Sequence, residues 1–583
     1  MNAFRRQKTI LRREREAVPA ELARSCPPVL ARIYAARGIS HPDELESSLR
    51  GLVPPTQLSG MEAALDLLET ALKEGQRILI LGDFDADGAT STTLAVQALK
   101  AMGAGAVDFR VPDRFEFGYG LTPELVADLA DPLPDLLMTV DNGVTSLEGV
   151  KAAQARGMQV LVTDHHLPGA ELPAAEAIVN PNLPGDAFPS KNLAGVGVVF
   201  YLMTALRNRL DKNGWFTDGR TKPNMAAFLD LVALGTVADV VPLDRNNRIL
   251  VEQGIRRIRA GEARKGILGL LAVANRNPAS VVATDLGFAV GPRLNAAGRL
   301  ENMAIGIECL LAEEPARARE LARRLDELNR ERREIEGEMQ AQALDTLYNL
   351  LERLEGEADL PRGLCLHDGD WHPGVVGILA SRLKDRLHRP VIVFADDGPD
   401  RIKGSARSIA GFHIRDALEL IDARHPGLIG RFGGHAMAAG LSLEREALTD
   451  FREAFETVAA EQIAESDMNG VILTDGELEP GEINLATAES LRFGGPWGQG
   501  FPEPMFDGQF RVVESRPVGN GKHMKLSLRP MGEGMPVDAI AFNVTREDLP
   551  ESVPAIRAAY RLDVNEFRGR KTAQLIIEYL EPA

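Results

Sequence analysis

Along this chain, short runs of consecutive apolar residues alternate with stretches whose apolar positions recur every three to four residues. Arg77–Leu81 (RILIL), Leu136–Val140 (LLMTV) and residues 159–162 (QVLV) are such runs, and helical patterns follow at 90–102 and 146–156. Runs of this length predict strands buried on both faces, and their alternation with helices predicts βαβ units around a parallel sheet. Residues 228–241 form another apolar stretch that carries Asp239 near its end. This pattern sets apart a first α/β domain at about 51–305, behind a segment 1–50 that reads as helical and is punctuated by Pro27-Pro28 and Pro42.

From 311 to 357 the pattern changes. Leu321, Leu325, Leu328, Ile335, Met339, Ala343, Leu347, Leu350 and Leu354 keep helical spacing between many Glu and Arg residues, with Pro315 near the start. A first helical turn tolerates proline. Arg332, Gln342 and Thr346 interrupt the stripe, which favours a long helix connecting two domains (306–357) over a coiled-coil arm. At 1.5 Å per residue such a helix spans roughly 60 Å.

A second, smaller α/β domain is expected at 358–465, opening with the strand Leu364-Cys365-Leu366. Beyond 466, strand-like alternation at 510–513, 524–528, 539–542, 560–564 and 574–579, with glycines and prolines between, predicts a C-terminal β-barrel of the OB-fold type at 466–583.

The polar residues that end the buried runs bring in chemistry. Asp83-Phe84-Asp85-Ala86-Asp87-Gly88, Asp141-Asn142-Gly143 and Asp164-His165-His166 each follow a predicted strand. Carboxylates and imidazoles add nothing to a core, and the carboxyl edge of a parallel sheet is where ligands bind. Asp83, Asp85 and Asp87, spaced by two, project to one side if the segment is extended, and three like charges so close call for a cation. Oxygen ligands suit Mg²⁺, and an added imidazole tilts the site toward Mn²⁺. An EF-hand loop is excluded, because Leu94 stands where its glutamate belongs. His165 and His166, on opposite sides of an extended backbone, are expected to have different jobs.

The net charge of −18 argues against a generic polyanion binder. It leaves room for a local basic groove, and bound cations would offset part of it. The three cysteines, Cys26, Cys309 and Cys365, form no ligand spacing or disulfide framework. No apolar stretch reaches the ~20 residues needed to cross a bilayer, and no apolar segment follows the basic first residues. The expectation is a cytoplasmic protein with no membrane partner.

Together with Asp239 in Leu234-Gly235-Thr236-Val237-Ala238-Asp239, these clusters resemble the motifs of the DHH phosphoesterase superfamily. Gly291-Pro292-Arg293-Leu294-Asn295-Ala296-Ala297-Gly298-Arg299, Gly404-Ser405-Ala406-Arg407-Ser408, Gly433-Gly434-His435-Ala436-Met437 and Pro496-Trp497-Gly498-Gln499-Gly500-Phe501-Pro502 extend the likeness to its RecJ branch of single-stranded-DNA exonucleases.

The resemblance implies a DHH domain at 51–305, a DHH-associated domain at 358–465, and a site of two Mn²⁺ or Mg²⁺ ions. Asp83, Asp85, Asp87, Asp141, His165 and Asp239 would be the ligands, with Asp141 bridging. Asp164 would orient the neighbouring histidine and His166 would meet the scissile phosphate. Also implied are hydrolysis of single-stranded DNA from 5′ to 3′ with release of 5′-mononucleotides, and a place in recombination and repair. A monomer working beside a single-strand-binding protein and a helicase is the expected setting. Hydrolysis of short oligonucleotides or cyclic dinucleotides is the rival reading, and a non-catalytic scaffold of the same fold is another. The long helix and barrel disfavour the first, and the full ligand set the second.

For DNA contacts the sequence offers Arg114, Tyr119, Arg293, Asn295 and Arg299 near the metal motifs, and Ser405, Arg407, Gly433, Gly434 and His435 in the second α/β domain. Guanidinium groups suit phosphates, and glycines let backbone N–H groups approach an anion. In the barrel, Phe510, Phe542 and Phe567 are candidates for base stacking, with burial as the ordinary role of such residues.

Overall fold

The structure, a computed structural model, describes residues 8–14, 17–113, 117–217, 219–353, 361–434, 436–464, 470–532, 534–546, 548–550 and 553–583. They form two compact units. One holds residues 15–329 and 489–503; the other holds 1–14, 330–488 and 504–583. Among the described residues no helix is long and apolar enough to cross a membrane.

The first described element is a strand in a segment expected to be helical, β1 (Thr9–Arg12). The first unit is then built on five parallel strands, β2 (Arg77–Leu81), β3 (Ala106–Arg110), β4 (Leu136–Val140), β5 (Gln159–Thr163) and β6 (Ala177–Val179), in the order β3-β2-β4-β5-β6. Every residue of β4 is buried, as its unbroken apolar run predicts. The register decides what the sheet can do. Thr163 pairs with Val140 on one side and Val179 on the other, and Leu81 pairs with Thr139. The residues after β2, β4, β5 and β6 therefore leave the sheet together at one edge. The helices Ala86–Ala101, Gly195–Lys212 and Leu229–Ala238 pack behind that edge.

Residues 489–503, expected with the barrel, belong to this first unit. Trp497 stacks on Phe501 with ring centroids 5.1 Å apart, Gly494 accepts a hydrogen bond from the Tyr34 hydroxyl (2.7 Å), and Leu243 N donates to Gln499 O (2.7 Å).

In the second unit, β7 (Leu364–His367), β8 (Val391–Asp396), β9 (Arg401–Arg407), β10 (Arg431–Gly434) and β11 (Ala438–Glu444) form a mixed sheet in the order β10-β11-β9-β8-β7. A strand β12 (Val471–Thr474) pairs with β1 in parallel. Five more strands, β13 (Phe506–Val518), β14 (His523–Pro530), β15 (Val537–Ala541), β16 (Ala555–Phe567) and β17 (Arg570–Pro582), close into the expected barrel. Met524, Leu526 and Leu528 alternate inward from β14, and Phe510 packs edge-on against buried Tyr560. The long helix runs over Pro315–Arg353, 39 residues and about 58 Å at 1.5 Å per residue.

The pairing of β1 with β12 is fastened by Arg12, whose guanidinium donates to both oxygens of buried Asp507 at 2.8–3.1 Å. Burial alone would raise the Asp507 carboxyl, but the bonds from Arg12 and Thr474 outweigh it and hold the group below its ordinary value. Replacing Arg12 with methionine should destabilise this unit by about 1–3 kcal/mol, the usual penalty for a buried acceptor losing its partner. Urea unfolding at neutral pH reads that loss directly. Because the folded carboxyl is the stronger acid, the contribution is present above pH ~4 and lost as pH falls through the folded value. Acidification should therefore narrow the gap between variant and parent.

Candidate metal centre

The loop after β2 is not extended throughout. A helix begins at Ala86, and Asp85 caps it by accepting from the backbone N–H groups of Asp87 and Gly88, both at 2.9 Å. Asp87 thus sits in a helical first turn, and its ligand atom gathers with those of His165 and Asp239 while Asp83 and Asp85 gather with Asp141. Its two oxygens accept from Gly195 N (2.6 Å) and Val196 N (3.0 Å), so it caps the helix Gly195–Lys212. A Cβ on Gly195 would stand 2.6 Å from the Asp141 side chain, and one on Gly235 would stand 2.7 Å from Asp87 Oδ1. Only glycine lets both helices come so near the carboxylates.

Asp141 leaves β4 with φ 63°, a left-handed conformation rare outside glycine. Asn142 fixes that turn by donating to Leu81 O and Val140 O. Among the described residues, three sets of ligand atoms come within 4.8 Å of one another: Asp83/Asp85/Asp141, Asp87/His165/Asp239 and Asp141/His165/His166. Asp141 belongs to two sets, and so does His165. Asp141 Oδ1, His165 Nε2 and Asp239 Oδ2 are buried without a hydrogen bond. Burial, and then mutual repulsion, pushes the Asp83, Asp87 and Asp141 carboxyls well above their ordinary range and Asp239 up to about 7. Buried acids with unsatisfied oxygens are unfavourable unless a cation offsets them. The donor set of carboxylate oxygens and one imidazole nitrogen fits Mn²⁺ or Mg²⁺.

The two histidines are separated by environment rather than by direction. Their ring centroids lie 4.5 Å apart, so they do not point to opposite sides. Burial and the neighbouring His166 charge push His165 down to about 4, which leaves it a neutral ligand. His166 feels burial too, but the hydrogen bond and charge of Asp164 outweigh it, together with Asp239 and Asp83, and hold it up at about 9. Its Nδ1 lies 2.7 Å from Asp164 Oδ1, the oxygen that also accepts from His165 N (2.7 Å) and His166 N (3.1 Å). Asp164 Oδ2 accepts from Val144 N (2.9 Å). Although buried, Asp164 is held below the ordinary range by these donors.

Asn180 and Asn182, which the sequence reading passed over, steady the pair from β6. Asn180 Nδ2 donates to His166 O (2.9 Å) and Asn182 Nδ2 to His165 O (2.6 Å). The signal was present, because Val179-Asn180-Pro181-Asn182 ends an apolar run as the other clusters do.

The candidate DNA contacts divide. The Tyr119 hydroxyl lies 3.3 Å from His166 Nδ1 and 3.4 Å from Asp141 O, beside the centre. Asn295 is turned to the loop itself, accepting from Ala86 N (2.7 Å). Arg293 is buried and bound to Asp326 at 2.8–2.9 Å. The sequence placed it on a helix without showing which face met an acid 33 residues later. Arg299 is half-buried on the same helix, Gly291–Leu300. In the second unit, Arg407 Nη1 donates to Ser405 Oγ (3.0 Å) and lines a depression of about 310 Å³ with Gly377 and Ser381, at the start of the helix Val376–Leu387. Burial lowers the Arg407 guanidinium. Gly433 and Gly434 end β10, where a Cβ on Gly433 would meet open space. Arg114 and His435 lie outside the described residues. Phe510 is in the barrel core, whereas Phe542 and Phe567 are exposed, Phe542 edge-on to His523 and Phe567 under Arg568.

Family models match the chain in three places: the DHH family N-terminal domain at residues 77–236, the DHHA1 domain at 361–461 and the RecJ OB domain at 474–579. The single-stranded-DNA-specific exonuclease RecJ of Dickeya dadantii (strain 3937) is 56% identical over 573 residues, covering 98% of this chain and 99% of the relative. That of Escherichia coli (strain K12) is 52% identical over 580 residues, covering 99% and 100%. The crystal structure of RecJ in complex with Mn²⁺ from Thermus thermophilus superposes with a TM-score of 0.79 at 31% identity, over 99% of this chain and 80% of that one. Its counterpart in complex with Mg²⁺ gives 0.74 at 29%, over 99% and 78%.

Proposed function

Because the chain belongs to the RecJ family of single-stranded-DNA-specific exonucleases, we propose that the cluster at the edge of its parallel sheet is where phosphodiester bonds are cut. The protein is a metal-dependent exonuclease of single-stranded DNA. The observation that carries the site assignment is the set of buried, unbonded atoms Asp141 Oδ1, His165 Nε2 and Asp239 Oδ2 among converging carboxylates.

In this reading Asp83, Asp85, Asp87, Asp141, His165 and Asp239 hold two Mn²⁺ or Mg²⁺ ions, and the sharing of Asp141 between two sets supports its place as the bridge. Two such ions supply an activated water and neutralise charge on the phosphate oxygens. The chain's own groups do the rest. Asp164 keeps His166 protonated and aimed, so that its outer N–H donates to an oxygen of the scissile phosphate. Asn180 and Asn182 hold the backbone of both histidines, and Asn295 holds the loop of Asp83 and Asp85.

Ser405, Arg407 and the N–H groups of Gly433 and Gly434 are assigned to a second phosphate of the strand, since Arg407 is a half-buried cation against a serine hydroxyl. Exposed Phe542 and Phe567 suit the barrel to holding bases.

The finer reading is 5′-to-3′ digestion to 5′-mononucleotides in recombination and repair, by a cytoplasmic monomer. Hand-off from a single-strand-binding protein and a helicase completes it. Digestion with Mn²⁺ of 5′- and 3′-labelled single-stranded and duplex DNA, alongside RNA, tests substrate and polarity together. Early release of the 5′ label from single strands alone is expected; early loss of the 3′ label would reverse the polarity.

A further inference from the structure

Two features beside the centre have no part in the chemistry above. Val240, directly after Asp239, is a β-branched residue at φ 62° and is 64% exposed. A branched residue in the left-handed region is strained, and such strain collects at functional sites. Phe288 is 78% exposed, on a turn of π-helix at Leu286–Val290, and π-turns mark functional sites more often than chance.

The two features adjoin. A Cβ on Gly287 would stand 3.1 Å from Val237, and one on Gly291 would stand 3.1 Å from Ala238. The π-turn therefore lies along the last helical residues before Asp239. Arg293 has a role here, because it donates to Ala289 O (2.5 Å) while anchored on Asp326. Burying a guanidinium to fix a turn that displays an exposed phenylalanine wins nothing in packing.

Taking the exonuclease reading as its premise, we propose that Phe288 is the platform on which a base of the substrate strand stacks next to the scissile phosphate, with Val240 as the apolar rim beside it. The occupant follows from continuity with the centre. Phosphates belong among the cations and His166, and a base is attached a few ångströms from each phosphate. Phe288 offers a π-face and no hydrogen bond, so it accepts any of the bases. An enzyme that removes nucleotides one after another needs that tolerance. A paired base is already sandwiched in its duplex, so the same platform favours single strands.

The test uses the full-length enzyme with Mn²⁺ on single-stranded oligothymidylates, intact or with one abasic position at each of the first few nucleotides. Phe288→Ala should raise KM about tenfold, the scale of one lost base stack, with kcat and melting temperature near those of the parent. Phe288→Trp should restore KM. An abasic position at the stacked nucleotide should raise KM for the parent and not for Phe288→Ala. An unchanged KM, a loss confined to kcat, or equal abasic sensitivity in parent and variant would overturn the platform. Each of these leaves the exonuclease reading intact, which fails only if the parent itself spares single-stranded DNA.

Discussion

Replacing Asp141 with alanine is expected to lower kcat on single-stranded DNA by on the order of a thousandfold or more while leaving the metal-free protein at least as stable as the parent. Both halves follow from one arrangement. Asp141 is buried, its Oδ1 has no hydrogen bond, and Asp87, Asp85, Asp239 and Asp83 all oppose its ionisation. Without cations the carboxylate is a liability to the fold, so its removal relieves repulsion. With cations it is the carboxylate that the Asp83/Asp85 set shares with the His165/His166 set. Parent protein should therefore gain stability on adding Mn²⁺, by about 2.7 kcal/mol at a hundred times Kd, and the variant should gain far less. Calorimetry with and without chelator, beside single-turnover digestion, separates the two effects. A variant that keeps its Mn²⁺ response and its rate would remove Asp141 from the bridging position.

Much of this centre was legible before any coordinates, and the reason is geometric. Strands buried on both faces must be continuous apolar runs, so their ends show as sudden carboxylates, and a parallel sheet gathers those ends at one edge. Asp83, Asp141 and Asp164 announced themselves in that way. Residues whose roles depend on distant partners did not. β1 is a strand only because β12, over 450 positions later, offers a parallel partner and Asp507 receives Arg12. Arg293 carried the same charge whether it met phosphate or Asp326. β6 has only three residues, too short a run to draw notice to Asn180 and Asn182. Spacing by two suggested an extended Asp83 to Asp87, yet the chain turns helical at Ala86, and convergence comes from capping two helices instead.

The histidine pair gives the second large effect, because neighbours in sequence should fail differently. His165→Ala removes a ligand common to two of the clustered sets, so the Mn²⁺-induced rise in melting temperature should shrink and activity should need far more metal. His166→Ala should leave the metal response close to the parent and cut kcat by about a hundred- to a thousandfold, the usual cost of one donor to developing charge. The basis is their opposite environments. The His165 ring is buried beside the His166 charge and stays neutral, as a ligand must. The His166 ring is bonded to Asp164 through Nδ1, which leaves its outer nitrogen to donate to phosphate oxygen. Asp164→Asn should then resemble His166→Ala more than His165→Ala, since it frees the second ring while the ligand atoms remain. Titration of activity against Mn²⁺ distinguishes the cases: His165→Ala is rescued in part by excess metal, whereas His166→Ala and Asp164→Asn are not. If all three variants shifted the metal requirement alike, both rings would be ligands, and the phosphate would have to find its donor elsewhere on this edge of the sheet.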